Sequence, residues 1–365
     1  MPEQRKPELR PPAGQGEIES SPPRRVRDAL RALHAAIRAQ ARAEVLAGAG
    51  DALSDAPVPA EGDVSYSIDL RAEELIDRFF RSEWAEGPVT VVCEGIGTRT
   101  YPASARDSDA AYRVIVDPLD GTRELMYDKR SAWVLTGVAR NQGPDTSLAD
   151  VVYALQTEVP PSSQGVGAVL SASRGGGATR ELWVLDAAPR FLGRRPLVPS
   201  SATTLWNGYA VFVDFFAPGP RLATSRIAER VLGSLVPPGG ENQALVFNDQ
   251  YLSNAGQIYL LASGAYRFVA DLRPLLQPVT VGERRRGICS HPYDLCTFLV
   301  ATEAGSVITD AAGGALAYRL DTDTDCAWIG YANGAIRALL EGPLMEALAE
   351  VTDGGTDRGT GPRTP

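Results

Sequence analysis

The run Val114-Ile115-Val116-Asp117-Pro118-Leu119-Asp120-Gly121-Thr122 restricts what this chain can fold into more than any other stretch. An apolar strand ends in two carboxylates, a turn whose φ is fixed by proline, and a Gly-Thr pair able to open a helix. Oxygen-only ligands at a strand end suit a hard cation such as Mg²⁺. The backbone N–H groups of a helix start suit a phosphate. A fold built around this run must bring a strand, a tight turn and a helix start to one polar corner. Metal and phosphate sites side by side suggest metal-assisted phosphoryl transfer.

The rest of the chain narrows the setting. At 365 residues it can hold one large domain or two lobes. A net charge of −9 and a pI near 5.0 argue against a nucleic-acid polymer as partner. Lys6 and Lys129 are the only lysines, so nearly all positive charge is arginine. Cys93, Cys289, Cys296 and Cys326 form no C-x-x-C pair, which speaks against a zinc ribbon and for reduced thiols. With only His34 and His291, a site of several imidazoles is excluded. No apolar run reaches the length of a membrane span, so no membrane partner is expected. Met1 to Arg25 lacks the apolar segment of a signal peptide, and a cytoplasmic protein is the expectation.

Residues 1–25 and 353–365 have the composition of disordered tails. Between them we expect an N-terminal lobe over 26–200, with the metal-binding loop. A C-terminal lobe over 201–352 would complete the active site and substrate pocket. Helical spacing is clear in Val26, Leu30, Leu33, Ile37 and Val45, and again across Asp69 to Trp84. Strands are expected at Val89–Glu94, Tyr112–Asp117, Trp133–Arg140, Asp150–Thr157, Ala168–Arg174, Glu181–Asp186 and Tyr209–Phe216. Helices are expected at Ser225–Leu235, Asn254–Ser263 and Asp294–Ala304, the last leading into a strand at Ser306–Asp310. Strands alternating with helices fit an α/β or α+β layered fold.

Three segments belong together. Glu94 closes one strand, Asp117-Pro-Leu-Asp120-Gly-Thr122 closes the next, and Asp294 opens a helix that runs to Thr302-Glu303-Ala304-Gly305. This set, with Thr309-Asp310-x-x-Gly313-Gly314 downstream, resembles the inositol monophosphatase superfamily of Mg²⁺-dependent, lithium-sensitive phosphatases. That group includes bisphosphate nucleotidases and one class of fructose bisphosphatases. The resemblance runs from about Val26 to Leu348.

It implies a layered α/β/α/β/α sandwich and a homodimer. It also implies that Glu94, Asp117 and the Leu119 carbonyl hold one metal, while Asp117, Asp120 and Asp294 hold a second. Two nearby cations of this kind clamp attacking and leaving oxygens. By the same resemblance, Asp69 works with the Thr122 hydroxyl to activate water, and the Gly121 and Thr122 N–H groups bind phosphate. Ser253, Asn254, Ala255, and Asp271 or Glu283 match residues facing the leaving group. Gly95 stands where the family carries a second acid, so a third Mg²⁺ would lack its usual ligand.

Several of these residues also admit plainer roles. Asp-x-x-Asp-Gly-Thr alone is compatible with a capped turn, and Asp294 with a helix N-cap that could also ligate. Haloacid-dehalogenase phosphatases also show Asp-Gly-Thr after a strand. Their two aspartates are separated by one residue, and Pro118 occupies the nucleophile's place, which excludes them. Arg284, Arg285 and Arg286 read as a solvated loop or as a clamp for a second phosphate. His291 reads as a loop residue, Glu303 and Asp310 as structural, and Gly175-Gly176-Gly177 as a hairpin tip.

The expected function is a phosphomonoesterase for a small phosphorylated polyol, sugar or nucleotide. Alternatives are a 3′(2′),5′-bisphosphate nucleotidase and a non-catalytic metabolite-binding descendant.

Overall fold

Helix α1 (Arg24–Leu46) forms because Val26, Leu30, Leu33, Ile37 and Ala41 return on one face, and all five are buried. Helix α2 (Ser67–Ser82) does the same with Ile68, Ala72, Ile76, Phe79 and Phe80. Both belong to a computed structural model that describes residues 21–47, 67–186, 188–215, 220–236, 245–276 and 289–353. The two helices cover one face of an eight-stranded sheet. Its strands are β1 (Val89–Cys93), β2 (Gly97–Tyr101), β3 (Tyr112–Asp120), β4 (Ala132–Arg140), β5 (Val151–Val159), β6 (Val166–Ser173), β7 (Gly177–Val184) and β8 (Arg190–Pro196). Their spatial order is β2-β1-β3-β4-β5-β6-β7-β8, antiparallel except for the β1–β3 pair.

A second sheet combines β9 (Gly208–Phe212), β10 (Val246–Phe247), β11 (Tyr266–Asp271), β12 (Val307–Asp310) and β13 (Trp328–Tyr331), in the order β10-β9-β11-β13-β12. The remaining helices are α3 (Thr122–Met126), α4 (Arg221–Leu235), α5 (Asn254–Ala262), α6 (Arg273–Leu276), α7 (Pro292–Leu295), α8 (Leu299–Ala304) and α9 (Gly334–Asp353).

The layers follow from strand parity. On β3, Val114 and Val116 face α1 and α2, whereas Ile115 packs into the middle layer with Ala255 and Ile258 of α5 and Leu295 and Leu299 of α7 and α8. The second sheet closes that layer through Val211, Val269 and Trp328. Its outer face carries α4 and α9, through Ile227 and Val231 and through Ile336, Leu340 and Leu344. The result is an α/β/α/β/α sandwich. No helix among the described residues is long and apolar enough to cross a membrane.

Several boundaries differ from the sequence reading. Strands β2 and β8 carried no periodic signal, because only Tyr101 of β2 is fully buried and no residue of β8 is. The helix expected over Asp294–Ala304 is broken into α7 and α8. Between them the backbone tightens into three-residue turns, such as Phe298 N to Leu295 O. Thr297 bonds Gln156 there at 2.9 Å, and the Cys296 carbonyl lies where a Cβ on Gly137 would come within 2.8 Å. The helix is thus drawn onto β4 at a glycine.

The Gly175–Gly177 segment turns β6 into β7, and Glu303 accepts the N–H groups of Gly175 and Gly177. Helix α1 begins at Arg24, inside the segment expected to be a tail. Residues 1–20 and 354–365 of the expected tails lie outside the described residues.

Candidate active site

In a regular strand, residues three apart point to opposite faces, so Asp117 and Asp120 would diverge. The pairing with β4 prevents this: Asp117 lies opposite Leu135 and Asp120 opposite Trp133, so the stretch between them carries an extra residue. This β-bulge falls at Pro118-Leu119, where proline has no N–H to give to the ladder. Leu119 N donates to Asp117 Oδ1 at 2.9 Å and fixes the bend. Gly121 follows at φ 90°, and a Cβ there would stand 3.0 Å from that of Ser253. Only glycine meets both demands without strain. The strand therefore runs to Asp120 rather than ending at Asp117.

Asp294 arrives from α7, where its Oδ2 accepts the His291 N–H at 2.6 Å, so it caps the helix as well. Carboxylate oxygens of Asp117, Asp120 and Asp294 lie within 4.8 Å of one another. Glu94 lines the same pocket outside that trio. Asp120 Oδ2 accepts Ser253 Oγ at 2.9 Å and Ala255 N at 2.6 Å, which sets its orientation from the start of α5.

Burial, then the charges of Glu94, Asp120 and Asp294, push Asp117 well above the usual carboxylate range. Burial and then Asp294 push Asp120 up to about 8. Crowded like charges in a dry site hold protons unless a cation balances them. An all-oxygen donor set of this kind fits a hard divalent cation.

Thr122 Oγ1 lies 2.8 Å from Asp69 Oδ1 and 2.6 Å from the Leu119 carbonyl oxygen. Asp69 sits in the first turn of α2 and lines the pocket. One turn further, burial and the neighbouring Asp69 push Glu73 up to about 7. A Cβ on Gly95, at φ 70°, would fall 2.0 Å from Glu73 Oε1. The position that lacks an acid on the β1 side is thus filled by a carboxylate from α2.

Ser253 and Asn254 also line the pocket. Asn254 Oδ1 accepts from Trp328 Nε1 at 3.0 Å and lies 3.0 Å from Ser290 Oγ. Two of the residues expected to face the leaving group are fully buried. Asp271 is fully buried behind the wall: Arg273 Nε and Nη2 donate to it at 2.8 and 2.6 Å, and Ser290 at 2.7 Å. Its partner Arg273 is the residue that reaches the pocket. Ala255 is likewise buried and acts through its N–H on Asp120. Glu283, Arg284, Arg285 and Arg286 lie outside the described residues.

The sequence reading gave no site role to Arg273, Arg123, Phe215, Cys289 and Tyr293, which also line the pocket. Arg273 stacks on Phe215 at 4.5 Å, held by the carboxylate two residues earlier at the end of β11. That Asp-x-Arg spacing was the available signal.

No protein-family model and no curated protein matches the chain. Solved structures do. The extragenic suppressor protein SuhB from Bartonella henselae is 18% identical, with a TM-score of 0.58 over 88% of this chain and 98% of its own. Fructose-1,6-bisphosphatase from Leishmania major is 12% identical, with a TM-score of 0.62 over 89% and 96%. Inositol monophosphatase from Anabaena is 16% identical, with a TM-score of 0.53 over 87% and 94%. The chain has the fold of the inositol monophosphatase superfamily.

Proposed function

We propose that the chain is a Mg²⁺-dependent phosphomonoesterase of that superfamily, hydrolysing a small phosphorylated polyol, sugar or nucleotide. The observation that carries this reading is the convergence of Asp117, Asp120 and Asp294, whose oxygens share one corner, with the burial of Asp117 and Asp120 calling for a counter-charge. Glu94, Asp117 and the Leu119 carbonyl would hold one cation, and Asp117, Asp120 and Asp294 a second. When bound, the cations supply electrostatic stabilisation to the phosphoryl and leaving-group oxygens.

The protein's own groups do the rest. The Gly121 and Thr122 N–H groups orient the phosphate at the start of α3. A hydroxyl has one proton, so Thr122 donates to Asp69 or to Leu119 at any moment. With the Leu119 carbonyl engaged elsewhere, Thr122 Oγ1 turns to Asp69 and passes to it the proton of an attacking water. Burial pushes the Cys289 thiol up to about 12, which leaves it a poor nucleophile and favours direct attack by water.

A second reading within the class rests on Arg123 and Arg273, which line the same pocket. Two guanidinium groups there favour a substrate with another anionic group, such as a sugar bisphosphate or a 3′,5′-bisphosphate nucleotide. The test is phosphate release from a panel of mono- and bisphosphates, with Mg²⁺ and with chelator. Release from at least one substrate, abolished by chelation, is expected. No release from any would favour a non-catalytic metabolite-binding protein.

A further inference from the structure

A groove of ≈ 680 Å³ lies on the α1 side of the first sheet, apart from the acidic pocket. One bank is α1, where Ala32, Ala35, Ala39 and Ala43 leave only methyl groups facing the space. The opposite bank is Val169, Trp183 and Leu185, at β6 and β7. A row of small side chains by itself says little. Arg38 adds what it lacks.

Arg38 lines this groove, is only 7% exposed, and its Nη1 donates to no acceptor among the described residues. Burial lowers its pKa, and the charge of Arg42 lowers it further. The Nε of Arg42, also lining the groove, has no acceptor among them either. The neighbouring polar groups are committed elsewhere. Arg31 donates to Glu181 at 3.2 Å and to Ser171 at 3.0 Å. Arg42 Nη1 donates to the carbonyls of Pro160 and Pro161, each at 3.2 Å.

Glu158 is the carboxylate whose charge favours Arg38, yet its oxygens already accept from Ser131 and Gln164 and from Ala168 N. Asp186, on the rim, lies 3.8 Å from Arg190. A buried guanidinium N–H without an acceptor is costly. An anionic group beside Arg38 would accept that N–H and offset the Arg38–Arg42 repulsion. The alanine and Trp183–Leu185 banks would take an apolar body.

We propose that this groove binds an amphipathic carboxylic acid, with its carboxylate on Arg38 and an aliphatic or aromatic body between α1 and β6–β7. Decanoate is the probe, with 1-decanol as its neutral counterpart, titrated calorimetrically into the full chain. One decanoate per chain should bind. Arg38→Met, which keeps most of the stem, should weaken decanoate about ten- to a hundredfold and leave 1-decanol unchanged.

Ala39→Trp, at an exposed groove position, should abolish both, and it keeps the test valid if Arg38→Met folds poorly. Absence of decanoate binding up to its solubility limit overturns the proposal. So does equal loss of decanoate and 1-decanol in Arg38→Met, or decanoate binding that survives Ala39→Trp.

Discussion

Removing the charge of Asp120 should stabilise the metal-free protein as pH rises towards 8 while taking an anionic ligand from the second proposed cation site. Asp120 is 7% exposed, and its carboxyl is raised from 3.8 to about 8. Because the folded-state value is the higher one, the folded protein binds more protons than the unfolded chain between those two pH values. Stability is therefore undiminished below pH 3.8 and falls as pH rises to about 8, by up to roughly 1.4 kcal/mol per pH unit for a single group. Carried across the window, the upper bound is on the order of 6 kcal/mol.

Asn at position 120 keeps an oxygen for Ser253 Oγ and Ala255 N but carries no charge, so it escapes that loss. His34 acts in the opposite direction. Burial, then Arg31 and Arg38, hold it near 3, so its contribution rises with pH up to its unfolded value of 6.5. Comparing Asp120→Asn with the parent at each pH cancels His34, and Glu73 with it. The assay is thermal unfolding in chelator at pH 5, 6.5 and 8, repeated with Mg²⁺. The variant's advantage should grow with pH, and Mg²⁺ should raise the melting temperature of the parent more than that of the variant, which keeps Glu94, Asp117 and the Leu119 carbonyl but loses a ligand of the second cation. An advantage that is flat or shrinks towards pH 8 would refute the reasoning, as would an equal response of both proteins to Mg²⁺.

Two further outcomes follow from single contacts. Thr122→Val keeps the shape but removes the hydroxyl that meets Asp69, so kcat should fall by about 10²–10⁴ with KM little changed, and an unchanged kcat would remove Thr122 from proton transfer. Gly95→Ala forces a side chain to φ 70° and towards Glu73 Oε1, so urea unfolding should show a loss of about 1–2 kcal/mol; an unchanged midpoint would mean that the Glu73 carboxylate is not held there.

How much of this was legible depended on whether a residue's role shows in its own neighbourhood. Helices α1 and α2 announce themselves because one face is apolar and the other wet. The Asp117–Thr122 run does so because its chemistry is local: strand, proline, acid, glycine. Strand β8 could not, since Arg190, Phe191, Leu192, Arg194, Arg195 and Pro196 are all exposed and no buried face imposes a period. The bulge was hidden for a related reason. Nothing between Asp117 and Asp120 states that Pro118 and Leu119 will lie opposite a single residue of β4, yet that mismatch is what lets both carboxylates converge.

At Asp271, sequence distance conceals the partner. Asp271 reads as an acid near the substrate until Arg273 folds back on it and takes the place at the wall. Glu73 is the subtler case. Its carboxylate matters because Gly95, on another element, offers no side chain, and that complementarity exists only once α2 lies across the end of β1. The groups that carry charge into this site were thus readable one by one, while the contacts that aim them belong to the tertiary fold.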